Sequence, residues 1–346
     1  MIRDDQISIV VQGDIRANTH QSVAALRRQL PRAEIVLSTF KNQMAHLETS
    51  GLSLLVDKLC VSDDPGAMPP TVNSPTAPPN NINRMLVSTQ AGLKQATRPY
   101  ALKLRSDAEC DAGLIVSAWE KGLGADDPAY TRKLGFASHF TRHPHGINGY
   151  TFHPSDWLTF GRTKQVQAYW DAPLFTEQQA TWFDGQPRPE GLTVTTRRFR
   201  SQFTQEQWLC VNYARRIGYA TPAMAHDRRT EVVCAYERFL VQECVVLGVE
   251  DIGLMVPKQA WARKSCFQDL DCVSYSDWMT LVGRAPIDRE REAKRRRARQ
   301  FRHLIACGIL FKKWLTTQSQ KHLCRASNQP KASTVVLVPK TDQPPH

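Results

Sequence analysis

Mainly apolar runs at 7–11, 34–39, 54–61 and 100–104, the first of them β-branched, alternate with segments of helical spacing over the first hundred residues. A chain that buries strand after strand, with a crossover between each pair, is confined to an α/β architecture with a mainly parallel sheet. The first run ends in Gln12-Gly13, where backbone can come close to a ligand. Val23, Leu26 and Leu30 give the helical stripe that follows, and Pro31 stops it. The third run leads into Ser62-Asp63-Asp64-Pro65-Gly66, and positions 65–80 hold six prolines and no periodicity. That predicts a long loop, mobile or functional. Asn80 and Asn81 are placed to cap a helix in which Ile82, Met85, Leu86, Thr89 and Leu93 face inward, with Asn83 and Arg84 in its first turn. The fourth run ends in Lys103-Leu104-Arg105-Ser106-Asp107-Ala108-Glu109, and Asp111 is placed to open the next helix.

Beyond residue 125 the pattern is mixed. Strands are predicted at 135–140 and 156–160, a helix at 163–170, and a helix at 205–216 that opens on a Thr204/Gln207 capping box. The run 238–249 reads as further strand. A last long helix is predicted from Pro286 to about Leu315, with proline and acids in its opening turns and lysines near its end. After Arg325 the polar, proline-containing chain predicts disorder.

A chain of 346 residues, 41% of them hydrophobic, is long enough to bury a substantial core. Its nine cysteines include no CxxC pair and read as reduced thiols. Asp4 and Asp5 directly before a five-residue apolar run do not suit a signal peptide. The longest apolar stretch, 304–311, is far short of the roughly 20 residues that span a bilayer. A cytoplasmic protein is expected. The net charge is +12, and the segment 284–313 alone holds eleven Lys and Arg against three acids. A block of that kind points to an anionic surface.

The acids Asp107 and Glu109, one residue apart at the carboxyl end of a buried strand, can both reach a hard divalent cation, Mn2+ or Mg2+, which would in turn bind a diphosphate. Ligands of open α/β sheets gather outside the carboxyl ends of the strands. Gln12, Gly13, Asp63 and Asp64 are therefore candidates to meet a nucleotide, with Asn83, Arg84, Lys103 and Arg105 beside them. Arg84 would give charge-assisted hydrogen bonds to phosphate. The same residues admit a plainer reading, with Asp107 in a turn, Asp111 as a helix cap and Arg105 in a surface ion pair. His139, His143 and His145 surround Pro144, and a loop of that kind argues against zinc and for the border of a pocket.

The pieces QG (Gln12, Gly13), LPRAEIVLST from Leu30, SDDPG from Ser62, NNINR from Asn80, STQAGLK from Ser88 and YALKLRSD from Tyr100 come in the order of the successive blocks of WavE proteins. FHPSDW from Phe152, FG at Phe160 and EQWL from Glu206 are similar to the later blocks, so the chain resembles the WavE lipopolysaccharide-synthesis family over about residues 7–258. Two departures are the Asp-x-Glu spacing of the acid pair and Asp14 in place of a proline after Gln12-Gly13. The resemblance implies a GT-A-like (Rossmann-like) α/β fold and a glycosyltransferase acting on a lipopolysaccharide core or capsule-like glycan. It also implies a nucleotide-sugar donor and a glycan or lipid-linked oligosaccharide acceptor. Transfer with inversion needs a carboxylate to take the acceptor hydroxyl's proton, and Asp156 and Glu206 are the candidates. The chain then divides into a catalytic domain at 1–258, with a donor half to about 125 and an acceptor half from about 126. A helical extension at 259–325 and a disordered tail at 326–346 follow.

A second class competes, because Lys294-Arg295-Arg296-Arg297-Ala298-Arg299 is also the composition of a non-enzymatic nucleic-acid-binding protein. The apolar residues Phe301, Leu304, Ile305, Ile309 and Leu315 follow directly and suit an anionic membrane interface better than a duplex. No nucleic acid is expected as partner. The expected place is peripheral, at the inner face of the bacterial cytoplasmic membrane.

Overall fold

The computed structural model describes residues 1–123, 132–188, 196–261 and 267–301. The strands are β1 (Ile7–Gln12), β2 (Glu34–Phe40), β3 (Lys58–Ser62), β4 (Tyr100–Arg105), β5 (Leu134–Ala137), β6 (Leu158–Arg162) and β7 (Cys244–Leu247). They form one sheet in the order β3-β2-β1-β4-β6-β5-β7, with β6 antiparallel to both of its neighbours and every other pairing parallel. Helices α1 (Thr19–Gln29), α2 (Met44–Ser50), α3 (Ile82–Gln95), α4 (Ala112–Leu123), α5 (Thr163–Trp170), α6 (Glu177–Ala180), α7 (Gln205–Arg216) and α8 (Thr230–Gln242) intervene. The α/β class with a mainly parallel sheet expected from the sequence is the one observed.

The central strands are buried along their whole length on both sides, which is why they read as continuous apolar runs. One face of the sheet carries α3 and α5. Gly92 of α3 lies so close that a Cβ there would come within 2.6 Å of Val10 and 2.9 Å of Ser38. Trp170 of α5 donates from Nε1 to Thr159 on β6 at 3.1 Å. The opposite face carries α4, where the Trp119 ring meets Phe160 edge-on at 5.2 Å.

Several local signals are realised as written. The Thr204/Gln207 capping box opens α7. Asn80 Oδ1 accepts from the Ile82 amide at 3.1 Å at the head of α3, and Asp111 Oδ1 accepts from Leu114 at 3.0 Å at the head of α4. The proline-rich loop at 65–80 is tied down: Met68 bridges Asn80, and Val72 bridges Phe199.

The run at 238–249 is a correction. Its first part completes α8, whose Val232, Ala235, Tyr236, Phe239 and Leu240 recur at helical spacing and are buried, and only Cys244–Leu247 is strand. The third strand also starts later than expected, at Lys58, because Leu52–Leu54 turn as a 3-10 helix after Gly51.

The C-terminal helix begins at 289, after Asp288 caps it through Oδ1 to the Arg291 amide at 2.9 Å, and is described to 301. Its expected continuation to Leu315 and the expected disordered tail lie outside the described residues. The segment before it belongs to the main core, since Trp278 is fully buried there and donates to Leu240 O at 2.9 Å.

Candidate active site

The parallel strands β1 to β4 deliver Gln12-Gly13, Lys41, Asp63-Asp64 and Arg105-Ser106-Asp107 to one edge of the sheet. Because β6 runs the other way, its lead-in Ser155-Asp156-Trp157 arrives at that edge too. Glu206 joins from the first turn of α7.

The turns after β1 and β4 are stitched together. Ser106 donates from its amide to Gln12 O at 2.9 Å and from Oγ to Asp14 O at 2.6 Å. Gly13 sits at φ 119°, a conformation that favours glycine, and a Cβ there would be 3.1 Å from Ser106 Oγ. Gln12 is buried and accepts from Ser88 Oγ at 2.8 Å.

Two of the residues expected at the donor pair with each other. Arg84 grips Asp64 with Nε to Oδ1 and Nη2 to Oδ2, both at 2.8 Å, and this bidentate contact is what holds the Asp64 carboxyl below its ordinary range. Asp63 pairs with Lys41 at 2.7 Å. Two others are turned inward, contrary to expectation. Asn83 is buried, and its amide closes a ring with the backbone of Phe175, at 2.9 Å from Nδ2 and 2.7 Å to Oδ1. Lys103 is wholly buried, because strand alternation puts it under α5. Its Nζ lies 4.3 Å from the Trp170 ring centre and donates to Asp156 O at 2.6 Å. Burial pushes its pKa down to about 7, with Asp156 opposing.

Arg105 holds both oxygens of Asp107, at 2.8 Å each. Burial works against the Asp107 charge, and the guanidinium more than offsets it, so the carboxyl stays below its ordinary range. Asn18, at the head of α1, donates to Asp107 O at 3.2 Å and to Glu109 Oε1 at 3.1 Å. It thus touches Asp107 through the main chain and Glu109 through the carboxylate.

Asp156 and Glu206 form the second half of the site. Burial raises the Asp156 pKa, the charge of Glu206 raises it further, and Arg105 and Lys103 oppose. Burial likewise raises Glu206, with Arg142 and Arg105 opposing. His153 Nε2 lies 3.5 Å from Glu206 Oε2, and its Nδ1 is 3.0 Å from Phe140 O. A carbonyl only accepts, so Nδ1 carries the proton and the neutral Nε2 faces Glu206 with a lone pair. Burial, with Arg142 next, holds the His153 pKa down to about 3. The sequence reading did not single out His153, although it stands within the FHPSDW block, and no sequence signal marked Asn18.

Among the described residues, His143, Asp277 and Glu292 offer three ligand atoms within 4.8 Å of one another. Arg295 already bonds both of those carboxylates, at 2.7–3.0 Å, and supplies the positive charge a metal ion would bring. His145 pairs with Glu237 at 2.9 Å.

The family described as WavE lipopolysaccharide synthesis matches residues 7–313. No curated protein shows significant similarity to the chain. Among solved structures, the chain is similar to TarS of S. aureus at 11% identity, over 60% of this chain and 33% of that one, with a TM-score of 0.33. It is similar to glucosyl-3-phosphoglycerate synthase from Mycobacterium tuberculosis, solved with Mn2+ and uridine diphosphate, at 11% identity over 82% of this chain and 81% of that one, TM-score 0.36. HddC from Yersinia pseudotuberculosis is similar at 9% identity over 47% and 79%, TM-score 0.27. The chain spans about a third of the length of TarS. Likenesses this slight carry no weight beside the family match.

Proposed function

Because the chain belongs to the WavE lipopolysaccharide-synthesis family, we propose that it is a glycosyltransferase that moves a sugar from a nucleotide-sugar donor to a bacterial surface-glycan acceptor. The observation that carries this reading is the convergence of Asp156 and Glu206, both with raised pKa, on Arg105 at the carboxyl edge of β4. A buried carboxylate whose pKa is raised suits proton abstraction, and an adjacent guanidinium suits a diphosphate leaving group.

In this reading the donor lies over Gly13, Asp63, Asp64, Arg84 and Arg105. The acceptor hydroxyl approaches from the side of Asp156 and Glu206. Its oxygen bonds to the anomeric carbon as the bond to the diphosphate oxygen breaks, its proton passes to a carboxylate, and the nucleoside diphosphate leaves with the electron pair. Asp107 and Glu109 are the residues that would hold a divalent cation, Mn2+ or Mg2+. Their oxygen donors suit a hard ion, and Asn18 reaches both residues. Once bound, such an ion would neutralise the diphosphate. In the structure Arg105 holds the same Asp107 oxygens, so ion and guanidinium compete for them.

The helix 289–301 turns Arg289, Lys294, Arg296, Arg297 and Phe301 outward. We assign that row to an anionic membrane surface, at the cytoplasmic face, where a lipid-linked acceptor would lie. Among the described residues no helix is long and apolar enough to cross a membrane.

A panel of nucleotide-sugars, scored by thermal stabilisation and by release of nucleoside diphosphate, tests the enzyme. At least one donor should be turned over. Asp156→Asn or Glu206→Gln should lower kcat about a thousandfold with donor affinity kept. The acid limb of the pH profile should lie above the ordinary carboxylate range, since the raised pKa delays loss of the proton. Failure of every donor, or full activity in both variants, would overturn the reading.

A further inference from the structure

Trp261 is a large aromatic side chain left half in solvent, at 52% exposed. Its position is set by the chain before it. Met255 and Glu109 exchange two backbone hydrogen bonds, at 2.7 and 2.8 Å, which pins the segment to the turn after β4. The 3-10 turn Pro257–Gln259 follows, and within six residues of the bridge the chain reaches the aromatic group beside Asp156. There the Trp261 ring meets Phe140 at 6.2 Å and 89°, and Phe267 at 5.3 Å and 55°. Phe140 in turn packs on Trp157 at 5.2 Å, and Trp157 is the next residue after Asp156.

The indole is also fixed in orientation. Its Nε1 donates to Gln259 Oε1 at 2.6 Å, and the Arg142 guanidinium backs the neighbouring rings at 4.5 Å from Phe267 and 5.9 Å from Phe140. Phe140 holds a left-handed φ of 64°, uncommon for a non-glycine residue, which the packing around it must sustain. A half-exposed indole already held by Gln259, Phe140 and Phe267 costs little further entropy when a ligand covers it.

We propose that Trp261, steadied by Phe140 and Phe267, is the platform on which a pyranose ring of the acceptor glycan stacks. This rests on the glycosyltransferase reading above. The chemistry is selective: the axial C–H groups of a pyranose face carry slight positive charge and meet the electron-rich face of an indole, while the hydroxyls around the ring rim stay free to reach a base. A ring placed there would bring the next hydroxyl of an oligosaccharide toward the Asp156-Trp157 segment, which Trp261 reaches through Phe140.

The test uses the full chain with Trp261→Ala and Trp261→Phe, and separate readouts for donor and acceptor. Trp261→Ala should raise the acceptor KM about tenfold, Trp261→Phe should recover most of that loss, and donor KM and acceptor-free donor hydrolysis should stay within about twofold. An unchanged acceptor KM in a folded Trp261→Ala variant would overturn the proposal. So would an equal rise in donor KM, which would mark a stacked nucleobase instead. A second readout needs no turnover: quenching of tryptophan emission by delipidated lipopolysaccharide core oligosaccharide, compared between the parent and Trp261→Phe. Quenching that depends on Trp261 in a protein that turns over no nucleotide-sugar would keep the platform and discard the transferase. Turnover without any Trp261 dependence would do the reverse.

Discussion

Glu34 shows how a single side chain fastens the edge of the sheet away from the active site. Its carboxylate accepts from Ser8 Oγ at 2.5 Å, the Thr97 amide at 2.9 Å and Thr97 Oγ1 at 2.7 Å, and pairs with Lys58 at 2.7 Å. It thus ties β1, β2, β3 and the turn before β4 at once. Burial alone would raise its pKa, but Lys58, Ser8 and Thr97 together lower it from 4.5 to about 2. A depressed carboxyl stabilises the fold above pH 4.5, and that contribution is lost as pH falls toward 2. Glu34→Gln should cost about 2 kcal/mol at neutral pH, measured by urea denaturation, and should flatten the acid limb of the stability profile. The Asp64–Arg84 and Arg105–Asp107 pairs are residue-scale facts of another kind. Each takes two groups that the sequence offers as separate ligands and joins them into a neutral clamp, which under the proposed function an incoming diphosphate would have to loosen.

At the scale of elements, the C-terminal helix is both bound and free. Arg295 is fully buried and makes bonds of 2.7–3.0 Å to Asp277, Glu292, Asp269 O and Cys272 O, while Arg291 reaches Asp269 at 2.8 Å. Arg296 and Arg297 next to it face solvent. Arg295→Ala strands a buried acid and should cost about 3 kcal/mol, with faster hydrogen exchange along 289–301. Arg296→Ala should stay within about 0.5 kcal/mol. Equal effects of the two would show that the helix does not dock through Arg295.

A run of basic residues hides this difference, because helical spacing fixes which residues share a face but not which face is inside. The same limit explains other outcomes. The start of α7 is legible to the residue because Thr204 and Gln207 are a local start signal, and β1, β2 and β4 are legible because strands buried on both faces leave continuous apolar runs. The end of α8 reads as strand because Phe239 to Val241 and Cys244 to Leu247 are apolar whether helical or extended, and only the stripe from Val232 onward decides. Lys103 was placed at the ligand by its closeness to Asp107, whereas strand alternation sends it under Trp170. The joining of Asp156 and Glu206 to the β4 edge depends on the reversed direction of β6, which no local pattern announces.

For the whole molecule, the net charge of +12 is divided between pairs that hold the fold and an outward row that does not. If that row meets a membrane, replacing Lys294, Arg296 and Arg297 by Gln should weaken sedimentation with phosphatidylserine vesicles about a hundredfold at low salt, at about 1 kcal/mol for each charge. The melting temperature should barely move. Loss of random-duplex DNA binding in place of vesicle binding would favour the nucleic-acid reading.

The strand order has a consequence for how the protein is made. β5 is synthesised before β6, yet the strands that flank it in the sheet are β6 and β7. When Ala137 leaves the ribosome, β1 to β4 can already pair, but β5 has nowhere to dock until β6 has closed on β4, and its other side stays open until Leu247 appears. At about 5–20 residues per second the last wait is about 5–20 s. Through that interval every nascent chain displays unpaired strand edges of the sort that recruit chaperones or join to other chains. The yield of native protein in a foreign host should therefore follow translation speed and chaperone supply at least as closely as it follows the stability of the finished fold.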